Sequence, residues 1–93
     1  MITAEVYSRN PMAAWTEFED KTFVISAEDS TLHELNATGA FIWQQMESKL
    51  TKKELAERVA SEFDVTPEQV LADVDDFISA LVNKNLVRKE TGE

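Results

Sequence analysis

Two four-residue signals in the second half of the chain limit its fold more than any other feature. Thr51-Lys52-Lys53-Glu54 and Thr66-Pro67-Glu68-Gln69 both have the form of a capping box. In that arrangement the Thr hydroxyl accepts a hydrogen bond from the amide three residues on, and the Glu or Gln side chain accepts one from the Thr amide. Pro67 falls at the first helical position, where its missing N–H costs nothing. The first box opens a helix with Leu55, Val59 and Phe63 on one stripe and Ala56 and Ala60 beside it. The second opens a longer helix running to about Lys84. Only Asp64-Val65 separates them, so a helix-turn-helix corner is expected.

The first third reads differently. Trp15, Thr16 and Phe18 form one β-like run, Thr22-Phe23-Val24-Ile25 a second, and Thr31-Leu32-His33-Glu34-Leu35 a third. The separators Glu19-Asp20-Lys21 and Glu28-Asp29-Ser30 are polar and hairpin-sized, which predicts an antiparallel meander whose outer strands are free edges. Asn36 then caps a helix over 37–47 carrying Phe41, Ile42, Trp43 and Met46. Leu86-Val87 leave the last helix in extended form through a turn at Asn85. Residues 1–10 show no period and read as an N-terminal tail, 11–89 as one domain and 90–93 as a C-terminal tail. The expected fold class is α+β: a three-stranded antiparallel sheet followed by a three-helix bundle, winged-helix-like.

Composition removes whole classes of function. The chain has no cysteine and one histidine, His33, so thiolate chemistry, disulfides and His-pair metal sites are out of reach. Asp73-Val74-Asp75-Asp76 lacks the loop and the glycine of an EF-hand. No phosphate-binding glycine loop or catalytic triad is present. The reading is therefore a binding protein and not an enzyme, with no catalytic residue, cofactor or metal. No apolar run approaches the roughly 20 residues of a membrane span, and residues 1–5 do not resemble a signal peptide, so a cytoplasmic location is expected.

Eighteen acidic residues against nine basic ones give a net charge of -9, and no basic residue lies between Arg58 and Lys84. That stretch repels phosphate backbones, which require Lys and Arg to displace counterions. Nucleic acid is an unfavourable partner, and a basic or neutral peptide is easier to accommodate.

The longest helix carries two apolar rows. Val70, Val74, Phe77 and Leu81 read as the core stripe; Leu71, Asp75, Ile78 and Val82 form a second row. Together they span about 160 degrees at 100 degrees per residue, more than the roughly 100 degrees a one-sided helix buries. Either the core is broad, or one row packs inward while the other walls a groove.

Leu35-Asn36-Ala37-Thr38-Gly39-Ala40-Phe41-Ile42-Trp43, followed by Thr51, Glu54-Leu55, Phe63, Asp73-Val74, Phe77, Leu81 and Asn85-Leu86-Val87, resembles the PqqD family from about Ala13 to Val87. The resemblance implies a RiPP recognition element: a domain that binds the leader of a ribosomally made precursor peptide and presents it to a modifying enzyme, a radical S-adenosylmethionine enzyme or another. It also implies that the leader adds as a strand beside the third strand, against the third helix. Carried onto this chain, the peptide-binding residues are Thr31, Leu32, His33, Glu34 and Leu35 together with Leu71, Asp75, Ile78 and Val82. Versions dedicated to pyrroloquinoline quinone assembly carry a Tyr-Pro-Glu-Gly-like turn where this chain has Ala27-Glu28-Asp29-Ser30, and an Asp-Gly near Glu47-Ser48-Lys49. Lasso-peptide and other pathways use similar domains. The alternatives are a winged-helix DNA-binding regulator and a structural adaptor subunit.

Overall fold

Ala4–Arg9 (β1) and Val87–Gly92 (β5) lie side by side as an antiparallel pair, with Ala4 opposite Gly92 and Arg9 opposite Val87. The computed structural model describes residues 4–25, 30 and 32–92. Between the paired ends run β2 (Ala14–Phe18), β3 (Lys21–Ile25), β4 (Leu32–Leu35), α1 (Ala37–Gln45), α2 (Lys52–Phe63) and α3 (Pro67–Asn83). The fold is α+β, with the expected three-stranded antiparallel sheet in the order β2-β3-β4 and the expected three helices. It also contains a second, two-stranded sheet, β1-β5.

That second sheet corrects the reading of 1–10 and 90–93 as tails over residues 4–9 and 90–92, the remaining ends, 1–3 and 93, lying outside the described residues. Tyr7 is buried in the core, its backbone exchanges hydrogen bonds with Leu50 at 2.7 and 3.1 Å, and the Arg9 amide donates to the Met46 carbonyl. The strand bridges the loop after α1 and the strand after α3. Within it Val6 and Tyr7 are adjacent and so fall on opposite faces, and Glu5 shares the face of Tyr7, so the sequence shows no period.

The meander forms through a two-residue hairpin in which Glu19 and Asp20 both have positive φ, 52° and 65°. Such turns match the right-handed twist of the flanking strands. The register places Trp15, Val24 and His33 side by side, and Thr22 beside Leu35. Cross-strand partners share a face, so Thr22, Val24 and Leu35, all buried, define the inner face. Phe23, Ile25, Leu32 and Glu34 lie on the outer one.

The helices begin where their caps predict. Asn36 Oδ1 accepts from the Gly39 amide at 2.7 Å, and both capping boxes are closed in each direction. α1 ends at Gln45, two residues short of expectation, because Glu47 and Ser48 donate to carbonyls three residues back and tighten the chain into turns. Asp64 in the left-handed conformation ends α2, and Asn85, with φ 59°, turns the chain into β5. Trp43, Ile42, Met46, Leu55, Val59, Val74, Ile78 and Leu86 fill the core. Burying each large aliphatic or aromatic side chain stabilises the fold by about 1.5–3 kcal/mol. Trp43 meets Trp15 edge-on at 6.2 Å, which ties α1 to the sheet. Of the remaining aromatics, Phe18 is largely exposed, and Phe63 is half-exposed and packs edge-on to Phe41.

Two outcomes follow from these contacts. Removing residues 1–9 takes away Tyr7 and the pairing of β5, so the shortened chain should lose several kcal/mol of stability in urea denaturation; a true tail would lose none. The Glu54 carboxylate is held below its ordinary 4.5, first by the Thr51 backbone amide and then by the Thr51 side chain. Its contribution is present above the unfolded value and is lost as pH falls through the lowered one. Glu54→Ala should therefore melt earlier than the native chain at neutral pH, and the gap should close below pH 4.5.

Candidate functional site

Because β3 occupies one side of β4, the other side of β4 is a free edge among the described residues. Such an edge presents unpaired N–H and C=O groups. Its four residues alternate: His33 and Leu35 point inward with Val24 and Thr22, whereas Leu32 and Glu34 point out. Leu32 is 58% exposed, and Glu34 reaches the diagonal Lys21 at 3.8 Å. His33 Nε2 is buried without a hydrogen-bond partner, one of two such side-chain nitrogens among the described residues; the other is Trp43 Nε1. Thr31 lies outside the described residues.

β4 runs directly into Asn36 and the start of α1. There the chain borders a cavity of about 350 Å³ lined by Asn36, Thr38, Gly39, Ile42, Asp73, Asp76 and Phe77. Gly39 is what allows α1 and α3 to meet at this point. A Cβ on residue 39 would stand 2.9 Å from Phe77 Cε1 and 3.1 Å from Asn36 Oδ1, so a larger residue would push on both the ring and the helix cap. The cavity therefore has an aromatic wall from α3, an apolar floor from Ile42 and two carboxylates on its rim.

The side of α3 that faces this cavity is not the one expected from its two rows. Val74, Ile78 and Leu81 are the fully packed residues, and they span an arc of about 60 degrees at 100 degrees per residue. That arc takes two members from the first row and one from the second. Ile78 has no exposed surface, so its assignment to a peptide-facing wall is corrected: it is core. Phe77, read as core, is only partly buried and lines the cavity.

The rest of the second row points elsewhere. Leu71 is 46% exposed in a shallow apolar depression with Lys53, Ala56, Glu57, Pro67 and Glu68. Asp75 makes an ion pair and hydrogen bond with Lys52 of α2. That bond is the main reason the Lys52 ammonium is raised above its ordinary value. Val82 lies with Val87 and Lys89 of β5. Leu71, Asp75 and Val82 thus border α2 and the terminal sheet. Asp73, Asp76 and Phe77, which line the cavity, were not assigned to the site from the sequence. The signal was present in the Phe77 that falls among the family-like residues, but a helical wheel alone cannot say which flank of the stripe is solvated.

Four of the nine basic residues are ion-paired among the described residues. Lys21, Lys49, Lys52 and Lys89 all pair with carboxylates. Asp73 and Asp76 have no ion pair among the described residues. The described residues contain no group of three or more His, Cys, Asp or Glu able to hold a metal ion, and none of their helices is long and apolar enough to cross a membrane.

The family model described as coenzyme PQQ synthesis protein D (PqqD) matches residues 21–87. Among solved structures, the chain is similar to TbiB1 in complex with the TbiA(beta) leader peptide, at 25% identity and a TM-score of 0.75, covering 87% of this chain and 94% of that one. It also shares its fold with the PqqD truncation of Methylobacterium extorquens PqqCD, described as a functional and stand-alone RiPP recognition element. That likeness is 15% identical with a TM-score of 0.72, over 89% of this chain and 88% of the other. A search of the curated proteins finds no match.

The two positions that exchange roles can be separated by stability. Ile78→Ala opens a cavity in the core and should cost about 2–5 kcal/mol, whereas Phe77→Ala, losing a half-buried ring, should cost clearly less. Parallel urea melts of the two variants check the order, and the reverse order would restore the row assignment made from the sequence.

Proposed function

The chain belongs to the PqqD family, and from that premise we propose that it is a leader-peptide recognition element acting by binding and not by catalysis. An extended leader adds to the free edge of β4, and its inward side chains enter the cavity between the start of α1 and α3. The observation that carries the reading is the adjacency of these two features: an unpaired strand edge that leads within one residue into a cavity of ligand-pocket size. Main-chain hydrogen bonds then supply affinity, and the cavity selects among side chains.

The role of the domain is to raise the effective concentration of a precursor at a modifying enzyme, a radical S-adenosylmethionine enzyme or another. Ordering a flexible leader opposes binding, so an affinity near micromolar, about -8 kcal/mol, suits a carrier that must also release. The winged-helix alternative is disfavoured by the same surface. α3 is the second helix of the corner, and it carries Glu68, Asp73, Asp75 and Asp76 with no basic residue, where a DNA reader needs Lys or Arg.

The test begins with peptides selected from a random phage library on the immobilised protein. Adding the best of them to labelled protein should move the amide signals of Leu32, His33, Glu34 and Leu35, together with Asn36, Gly39 and the Asp73 to Phe77 turn of α3. Phe77→Ala should weaken that peptide about tenfold or more while the melt stays cooperative. Shifts confined to β2 or to the Leu71 depression would reject this edge as the site.

A further inference from the structure

The cavity beside β4 combines an apolar interior with two uncompensated carboxylates, and this limits what it will accept. We propose that it selects a lysine or arginine of the bound peptide, its aliphatic stem lying on Phe77 and Ile42 and its cationic head between Asp73 and Asp76. The proposal rests on the peptide-binding reading and adds to it the chemical class of the selected residue.

Asp73 and Asp76 are three residues apart and therefore neighbours on one face of α3, and both line the cavity with Phe77. Their neighbour Asp75, on the opposite flank, already has Lys52; Asp73 and Asp76 have no such partner among the described residues. α3 itself supplies no cation. An opposing field comes from the N-terminus of α1, worth about half a positive charge. The Asn36 side chain already takes the Gly39 amide there. Two full negative charges outweigh that remainder. An acidic side chain would be repelled, and a short aliphatic one would leave both carboxylates unpaired as the bound peptide screens them from water. A long cationic side chain meets both demands, because its stem is apolar and its head can accept contact with a ring face as well as with carboxylates.

Random-peptide phage selection on three proteins tests this: the native chain, D73N/D76N, and E57Q/E68Q, which removes the same charge from the Leu71 depression, Glu57 on α2 and Glu68 on α3, away from the cavity. The native chain and E57Q/E68Q should enrich sequences with Lys or Arg at one fixed position, and D73N/D76N should keep the apolar alternation of the consensus but lose that position. In titrations of the best native peptide, replacing its basic residue by norleucine should weaken binding about five- to tenfold, as should D73N/D76N. Both changes together should weaken it no more than either alone. A native consensus without a basic position overturns the proposal, as does one that survives in D73N/D76N or vanishes equally in E57Q/E68Q; in each case peptide binding itself would stand. Failure of all three proteins to enrich any consensus would overturn the peptide-binding reading and the proposal with it.

Discussion

The rotation of α3 about its own axis controls most of what this molecule presents to its surroundings. α3 is anchored by Val74, Ile78 and Leu81, packed into a core shared with α1, α2 and the ends of both sheets. A helix buries one stripe, and fixing that stripe fixes both flanks. Here one flank carries Leu71, Asp75 and Val82 toward α2 and β5, and the other carries Asp73, Asp76 and Phe77 toward the end of β4. A turn of the helix by one residue position, about 100 degrees, would put Asp73 into the core stripe, at a desolvation cost that no ion pair among the described residues offsets. The interior and the candidate site are thus two consequences of one packing choice.

The two small sheets divide the work. The terminal pair β1-β5 closes the domain on itself, and its salt bridges Lys89–Glu5 at 3.4 Å and Lys49–Glu90 at 2.8 Å are exposed and contribute little to stability. Its contribution comes from Tyr7, Leu50 and Val87 in the core. The meander does the opposite. It is held inward through Val24 and Leu35 and through the Trp15–Trp43 contact, and it leaves β4 with an edge unpaired among the described residues. An edge of four residues is short enough to limit self-association, yet it leads straight into the capped start of α1. Gly39 permits the close approach of Phe77 at that junction, so one small residue shapes the cavity that the strand edge opens onto.

Legibility of the sequence followed the range of the interactions. Asn36, Thr51 and Thr66 cap their helices as expected because a cap is a contract among four consecutive residues. The strand runs at Trp15, Val24 and Leu35 were equally readable, since side-chain alternation and hairpin turns are local. The strand and its free edge in the candidate site were also legible. The helix side of that site was not. Phe77 and Ile78 are adjacent, apolar and equally good core residues on a wheel; only the positions of α1 and α2 decide which of them is sealed.

The sequence by itself therefore determined the number of helices, their starts, the meander, the family and the acidic character of the chain. Tertiary structure alone decided two things. The first is the pairing of Ala4 with Gly92 and Tyr7 with Lys89, a contact between the two ends of the chain with no local signal, because the hydrogen bonds of a strand are made to whatever segment the fold brings alongside. The second is the azimuth of α3, which moved Ile78 into the core and Phe77 with Asp73 and Asp76 to the cavity. Both depend on which surfaces exclude water once every element is in place, and that is a property of the assembled core and not of any short stretch of residues.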